Sequence, residues 1–191
     1  MKNLFYLLIC NLIVVALVIL TSCGSPSQEC AIVPVPLYME NAEGAFVIDQ
    51  KTCISVEDES LRPVAEWFAG LFESSAGFVP RVCEDCPKAD IRLHIDSTMR
   101  HESYGLYVGA DGADIFSCGP AGFFYALQTV RAALPAELES DVPSPDVRWE
   151  GPLMTVLDQP RFEYRGLMVD VSRYFLPKEN LLEIIDCMAM L

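Results

Sequence analysis

Histidine is almost missing from this chain: among 191 residues only His94 and His101 occur, which excludes a histidine-rich metal site. Basic residues are few as well, Lys+Arg 13 against Asp+Glu 27, for a net charge of −14. A nucleic-acid binder needs a basic face to neutralise phosphates, and attachment to anionic lipid by charge needs a polybasic patch. This composition argues against both. No internal repeat is visible. The zinc-protease signature is incomplete, because His101-Glu102 opens like H-E-x-x-H but Gly105 stands where the second histidine belongs. Cys83-Glu84-Asp85-Cys86 has C-x-x-C spacing but no second ligand pair for a zinc knuckle. Pro87 and Asp90 then lead into a strand where a redox motif would open a helix, so the segment reads as a local loop or a disulfide. No metal and no cofactor is expected.

Apolar residues are plentiful. They make up 52% of the chain, enough to bury a core, and the length suits one domain plus a fragment. Lys2 precedes Leu4 to Leu20, an apolar run interrupted only by the polar Asn11, and Leu20-Thr21-Ser22-Cys23 closes it ahead of Gly24, Ser25 and Pro26. A basic start, an apolar middle and small residues at the end describe a secretory signal. The Leu-Thr-Ser-Cys ending resembles a bacterial lipobox, with Cys23 as the lipidated residue. Several acyl chains on it would anchor an otherwise soluble domain stably. The expected plan is a signal peptide over 1–22 and a tether over 23–30. The chain is then exported and lipid-anchored to the bacterial envelope, in the periplasm or at the cell surface. An uncleaved helix, at the short limit for spanning ~30 Å of hydrocarbon, is the alternative.

From Cys30 onward short runs alternate with turn residues. Ala45–Ile48, Cys53–Val56, Ile91–Ile95, Tyr104–Val108 and Ala113–Phe116 read as strands, the last two flanking an Asp111-Gly112 turn signal. Leu61, Val64, Ala65, Phe68, Leu71 and Phe72 recur at helical spacing, with Ser60 placed to cap and Gly77 to stop. A second helix carries Phe123, Leu127, Val130 and Leu134. Trp67 lies within the first helix and is expected in the core, and His94 is expected to be an ordinary strand residue. The prolines between 135 and 160 suggest a domain boundary, and Glu137, Glu139 and Asp141 a solvated loop. The pairing of Cys30, Cys53, Cys83, Cys86, Cys118 and Cys187 is left open.

After Pro160 the chain reads as a strand running into a loop. Pro177-Lys178-Glu179 then opens an amphipathic helix with Leu181, Leu182, Ile184, Ile185 and Met188 along one side. One strand–helix unit with so broad an apolar face cannot stand alone. Arg161-Phe162 and the run Arg165-Gly166-Leu167-Met168-Val169-Asp170-Val171-Ser172-Arg173-Tyr174-Phe175-Leu176-Pro177 resemble the segment that opens the (β/α)₈ barrel of glycoside hydrolase family 20, the β-N-acetylhexosaminidases. Ile32-Val33-Pro34-Val35-Pro36, Gly44-Ala45-Phe46 and Gly122-Phe123-Phe124-Tyr125-Ala126-Leu127-Gln128-Thr129 are similar to that family's small N-terminal domain. The expected fold class is α+β: a small antiparallel-rich sheet with two helices on one face over 31–157. The first βα unit of an incomplete (β/α)₈ barrel follows over 158–191.

The resemblance implies exo-hydrolysis of terminal β-linked N-acetylglucosamine or N-acetylgalactosamine from glycans, with retention and without metal. The substrate's own acetamido oxygen attacks in place of an enzyme nucleophile, which departs from the usual two-carboxylate scheme. An Asp-Glu pair from a later barrel strand serves that chemistry. Here the acids after Arg165 are Asp170, Glu179, Glu183 and Asp186, none in such a dipeptide, and Asp58-Glu59 reads as a helix-start pair in the other domain. One residue carries over: Arg165 matches the family's arginine that binds sugar hydroxyls, a task that suits the paired donors of a guanidinium. The rule that barrel sites lie at the C-terminal ends of strands points instead to Asp170, Ser172 or Arg173. The family match is followed for Arg165, and Asp170 and Arg173 are expected to be framework pairings. A full barrel takes about 250 residues, so the 191-residue chain reads as an N-terminal fragment, inactive by itself. The rival expectation is a non-catalytic surface lipoprotein module that binds a glycan or protein partner.

Overall fold

The computed structural model describes residues 32–190. The signal segment, Cys23, the tether and Cys30 lie outside the described residues. Seven strands, β1 (Tyr38–Val47), β2 (Cys53–Val56), β3 (Arg81–Glu84), β4 (Ile91–Ile95), β5 (Tyr104–Gly109), β6 (Gly112–Ser117) and β7 (Glu150–Asp158), form one sheet in the order β1-β7-β5-β6-β4-β2-β3. The α-helices are α1 (Arg62–Gly70), α2 (Phe72–Ala76), α3 (Pro120–Ala133) and α4 (Lys178–Ala189). Among the described residues no helix is long and apolar enough to cross a membrane.

Connection length decides the direction of each pair. β5 and β6 are joined through Ala110-Asp111 and run antiparallel, as a two-residue loop requires. β2 reaches β3 by way of α1 and α2, a crossover, and the two are parallel. β4 lies parallel to both β2 and β6, whereas β7 is antiparallel to β1 and β5. The sheet is therefore mixed, antiparallel from β1 to β6 and parallel from β6 to β3. Its first and last strands in the chain, β1 and β7, pair over nearly their whole length.

α1 and α3 pack together on one face. Val64, Ala65 and Phe68 of α1 and Phe123, Ala126 and Leu127 of α3 are buried against Ile54, Ile91, Leu93, Leu106 and Ile115 of the sheet. Each such side chain contributes roughly 1.5–3 kcal/mol when fully buried. Trp67, half-buried, meets Phe124 with ring centroids 4.6 Å apart and so joins the helices, as expected of a core tryptophan. α3 sits unusually close to β6 at Gly122: a Cβ there would lie 2.0 Å from Ser117 Oγ and 2.5 Å from the Ser103 carbonyl oxygen.

Several expectations need correction. The helical start is capped by Asp58, whose carboxylate accepts from the Ser60 amide at 2.8 Å, and not by Ser60 itself. Of the two readings of the cysteine motif, a local loop or a disulfide, Cys83 and Cys86 are bonded, and strand β3 runs into the first half of the motif. Strand β7 occupies the proline-rich stretch. It tolerates Pro152 because that residue lies beyond the end of the β5 pairing and beside the bulge in β1 between Ala42 and Ala45. Among the described residues the strand expected after Pro160 has no neighbour to pair with. Residues 163–170 run without a ladder, while the helix of that unit, α4, does form. α4 buries none of its residues, and Leu182, Ile185 and Met188 face outward.

One ion pair crosses the sheet. Arg92 on β4 faces Asp114 on β6 and grips it at both ends, Nε to Oδ1 at 2.6 Å and Nη2 to Oδ2 at 2.7 Å. His94 Nε2 lies 3.0 Å from the same Oδ1. The Arg92 hydrogen bonds, against a smaller cost of burial, hold the Asp114 carboxyl below the ordinary carboxylate value. A carboxyl depressed in the folded state adds stability above its unfolded value and loses it as pH falls through the folded one. Asp114→Asn is therefore expected to lower the melting temperature at neutral pH and to flatten the loss of stability below about pH 4. Thermal melts across that range check it, and an acid limb unchanged by the substitution would contradict it.

Candidate functional site

The polar groups that converge on a concavity lie where the sheet domain meets the segment after β7. A cavity of about 410 Å³ is bounded by the residues before β1, by the outer side of α3, by the end of β7 and by the last turn of α4. Its floor is a hydrogen-bonded cluster. The Tyr104 hydroxyl shares a hydrogen bond with Thr129 Oγ1 at 2.6 Å and donates to Asp158 Oδ2 at 3.4 Å. Burial pushes the Tyr104 hydroxyl well above its ordinary value, so it stays a proton donor at any physiological pH. Asp158 Oδ1 accepts the Leu37 amide at 3.1 Å and so ties the chain leading into β1 to the end of β7. Gln128 of α3 donates to the Ala189 carbonyl at 3.0 Å and holds the end of α4 at the rim.

Arg165 closes one side of this cavity. Its two terminal nitrogens both donate to Glu102 Oε2 at 3.2 Å; Nη2 also donates to the Tyr125 hydroxyl at 3.0 Å and Nη1 to the Phe162 carbonyl at 2.7 Å. The guanidinium carbon sits 5.7 Å from the centre of the Tyr125 ring. Partial burial works against the charge, but the hydrogen bonds to Glu102 and Tyr125 outweigh it and hold Arg165 above its ordinary value. A fixed guanidinium beside an aromatic face, at the mouth of a hydrogen-bonding cavity, suits recognition of a polyhydroxylated ring. Arg165 thus lies where the cavity meets the segment after β7, and the domain supplies the residues that orient it.

Glu102 and Tyr125 were not singled out as site residues in the sequence. Glu102 followed His101 in a failed zinc motif, and Tyr125 lay within a helical stretch. Glu102 also has a φ of 65°, a left-handed conformation that a residue other than glycine seldom adopts. The other candidates are not brought into the cavity. Asp170 accepts from the Ser172 amide at 2.8 Å and from Arg173 Nε at 2.5 Å, so the three form a local turn. Cys83 and Cys86 are joined as a disulfide on β3 and the loop after it.

Comparison with known proteins places the chain in a family. The description "Glycosyl hydrolase family 20, domain 2" matches residues 29–157, and "Glycosyl hydrolase family 20, catalytic domain" matches residues 162–191. The chain belongs to glycosyl hydrolase family 20. A β-hexosaminidase of Porphyromonas gingivalis is 34% identical over 165 residues, which cover 83% of this chain and 21% of that protein. The solved N-acetyl-β-hexosaminidase of Streptomyces plicatus superimposes with a TM-score of 0.76 at 30% identity, over 83% of this chain and 32% of its own. The family 20 β-N-acetylhexosaminidase of Streptomyces coelicolor gives 0.76 at 31%, with the same coverage. The chain therefore spans about a fifth to a third of the length of these relatives.

Proposed function

We propose that this chain supplies the N-terminal domain and the opening of the catalytic barrel of an exo-acting β-N-acetylhexosaminidase, which releases terminal N-acetylglucosamine or N-acetylgalactosamine from glycans. The observation that carries the reading is the succession of both family matches within one chain, the second beginning at residue 162 and containing Arg165. A mutant of the Streptomyces plicatus enzyme has been solved in complex with the product GlcNAc, which supports the choice of sugar. In this reading Arg165 gives up its contacts with the Tyr125 hydroxyl and the Phe162 carbonyl to donate to two hydroxyls of the terminal sugar. Glu102, which keeps one N–H of each terminal nitrogen, is a positioning residue whose carboxylate orients the guanidinium. Acid catalysis and the orientation of the acetamido group fall to carboxylates of the barrel outside residues 162–191.

The test uses the gene with whatever coding sequence continues in frame past the Leu191 codon, assayed with 4-nitrophenyl N-acetyl-β-glucosaminide. Loss of a hydrogen bond to a charged partner costs about 1.5–3 kcal/mol. Arg165→Ala is thus expected to lower kcat/KM about a hundredfold. Arg165→Lys is expected to restore little, because an ammonium lacks the planar pair of donors. A stop codon after Leu191 in the source genome, or an Arg165→Ala enzyme with unchanged kcat/KM, would overturn the reading. We further propose, from Leu20-Thr21-Ser22-Cys23, that Cys23 is lipidated and holds the protein at the bacterial envelope. Radiolabelled palmitate is expected to enter the wild-type protein in cells and not the Cys23→Ala variant; equal labelling of both counts against the anchor.

A further inference from the structure

The cysteines at the edge of the sheet take no part in the reading above. β2 and β3 are parallel, with Cys53 opposite Arg81 and Ser55 opposite Cys83, so these four side chains share one side of the sheet. The sulfurs of Cys53, Cys83 and Cys86 all lie within 4.8 Å of one another. Cys83 and Cys86 are bonded, and the buried Cys53 thiol lies 3.0 Å from Cys83 Sγ. Arg81 Nη2 donates to Cys53 Sγ at 3.6 Å, which places a positive charge beside the sulfur that has to carry negative charge as a nucleophile. Cys86 lies in a loop between the exposed residues Asp85 and Pro87, its amide donating to Ser55 Oγ at 2.9 Å. Asp85, within the same loop, has a φ of 47°.

We propose that Cys53, Cys83 and Cys86 form a thiol–disulfide exchange site, in which one disulfide moves between two pairings and delivers its free thiol from the buried strand to the surface loop. Cys53 gives up its proton to solvent and its thiolate attacks Cys83 Sγ. The Cys53–Cys83 bond forms, the Cys83–Cys86 bond breaks, and Cys86 leaves as a thiolate that takes up a proton. One disulfide and one thiol stand on each side, so no external oxidant or reductant is needed. The geometry sets the direction of attack: Cys83 is the sulfur in contact with Cys53, which it meets diagonally across the β2–β3 pair. The ligand class is a small thiol-reactive electrophile or low-molecular-weight disulfide, which meets Cys86 in the second pairing and only a buried thiol in the first.

The test is made on the full chain, purified without reductant and exposed to N-ethylmaleimide under native conditions. Proteolysis without reduction and mass spectrometry then identify the linked and the labelled cysteines. The expected result is a Cys53–Cys83 linkage with label on Cys86, growing to the majority of molecules as the reagent drains the exchange. Its rate should cease to rise with maleimide concentration once exchange is limiting. Cys53→Ser is expected to leave Cys86 unlabelled. Cys86→Ser, a change in the surface loop, should yield the Cys53–Cys83 linkage with no label in the cluster. Wild-type protein that keeps the Cys83–Cys86 linkage, with label on Cys53 or on neither, overturns the proposal; so does label on all three.

Discussion

Gly122→Ala is expected to lower the melting temperature of the domain by several degrees, although in an isolated helix the same change is favourable by roughly 1 kcal/mol. The sign is decided by what stands opposite. The added methyl would lie 2.0 Å from Ser117 Oγ and 2.5 Å from the Ser103 carbonyl, and that hydroxyl and that carbonyl are hydrogen-bonded to each other at 2.7 Å. The hydroxyl can turn aside only by giving up this buried hydrogen bond, and the carbonyl belongs to backbone. α3 must therefore lift from β6, and with it Phe123, Ala126 and Leu127, all buried on the sheet. Overpacking of this kind costs about 1–3 kcal/mol or more. For a domain of this size each kilocalorie moves the midpoint by roughly 2–4 °C. Circular-dichroism melts of wild type and variant measure it, and a variant as stable as wild type would mean that α3 is not held so close.

The 191-residue polypeptide, purified alone, is expected to hydrolyse no N-acetylhexosaminide above the buffer rate. Glycoside cleavage needs a carboxylic acid poised to protonate the leaving oxygen and, where the substrate's own acetamido group attacks, a further carboxylate to orient that group. The carboxylates near Arg165 do neither. Glu102 is engaged with the guanidinium, Asp158 with Tyr104 and the Leu37 amide, and Asp170 with its own turn. Glu179, Glu183 and Asp186 lie on α4, and Glu183 borders an open apolar groove with Leu167, Leu176 and Ile184. A chromogenic substrate at high enzyme concentration gives the answer, and turnover that survives repurification and vanishes with Arg165→Ala would show that these residues suffice.

Much of the domain was legible in the sequence because its signals are local. Strict alternation marked Ile91–Ile95, the Asp111-Gly112 turn marked the β5–β6 hairpin, and Gly77 stopped α2 where a left-handed residue was needed, at a φ of 73°. What escaped depends on partners far along the chain. β7 is a strand because β1 and β5 lie beside it, whereas Pro152 within it and Pro160 just after it spoke locally for a loop. β3 is short, lies at the sheet edge and takes its geometry from β2. Conversely, Leu167 to Asp170 has the composition of a strand but, among the described residues, no neighbour to pair with, so local preference did not become structure. Of the site, the family motif pointed to Arg165. Its partners Glu102 and Tyr125 lie 63 and 40 residues away, and no spacing announces contacts over such separations.

The pairing of the first strand with the last has a mechanical meaning. Tyr38 faces Leu157, and the Leu37 amide is bonded to Asp158, so the chain enters and leaves the domain at one corner. Everything between hangs from that corner as a side loop. A pull along the chain, from the stretch before Leu37 to the stretch after Asp158, is carried across a single rung of the sheet and bypasses the body of the domain. The span between whatever precedes β1 and the segment bearing Arg165 is then set by one strand spacing, about 4.8 Å, and not by the diameter of the fold. Such a load would also meet the β1–β7 ladder end-on, parting its hydrogen bonds in succession as a zipper does, with the rung at Tyr38 and Leu157 the first to open.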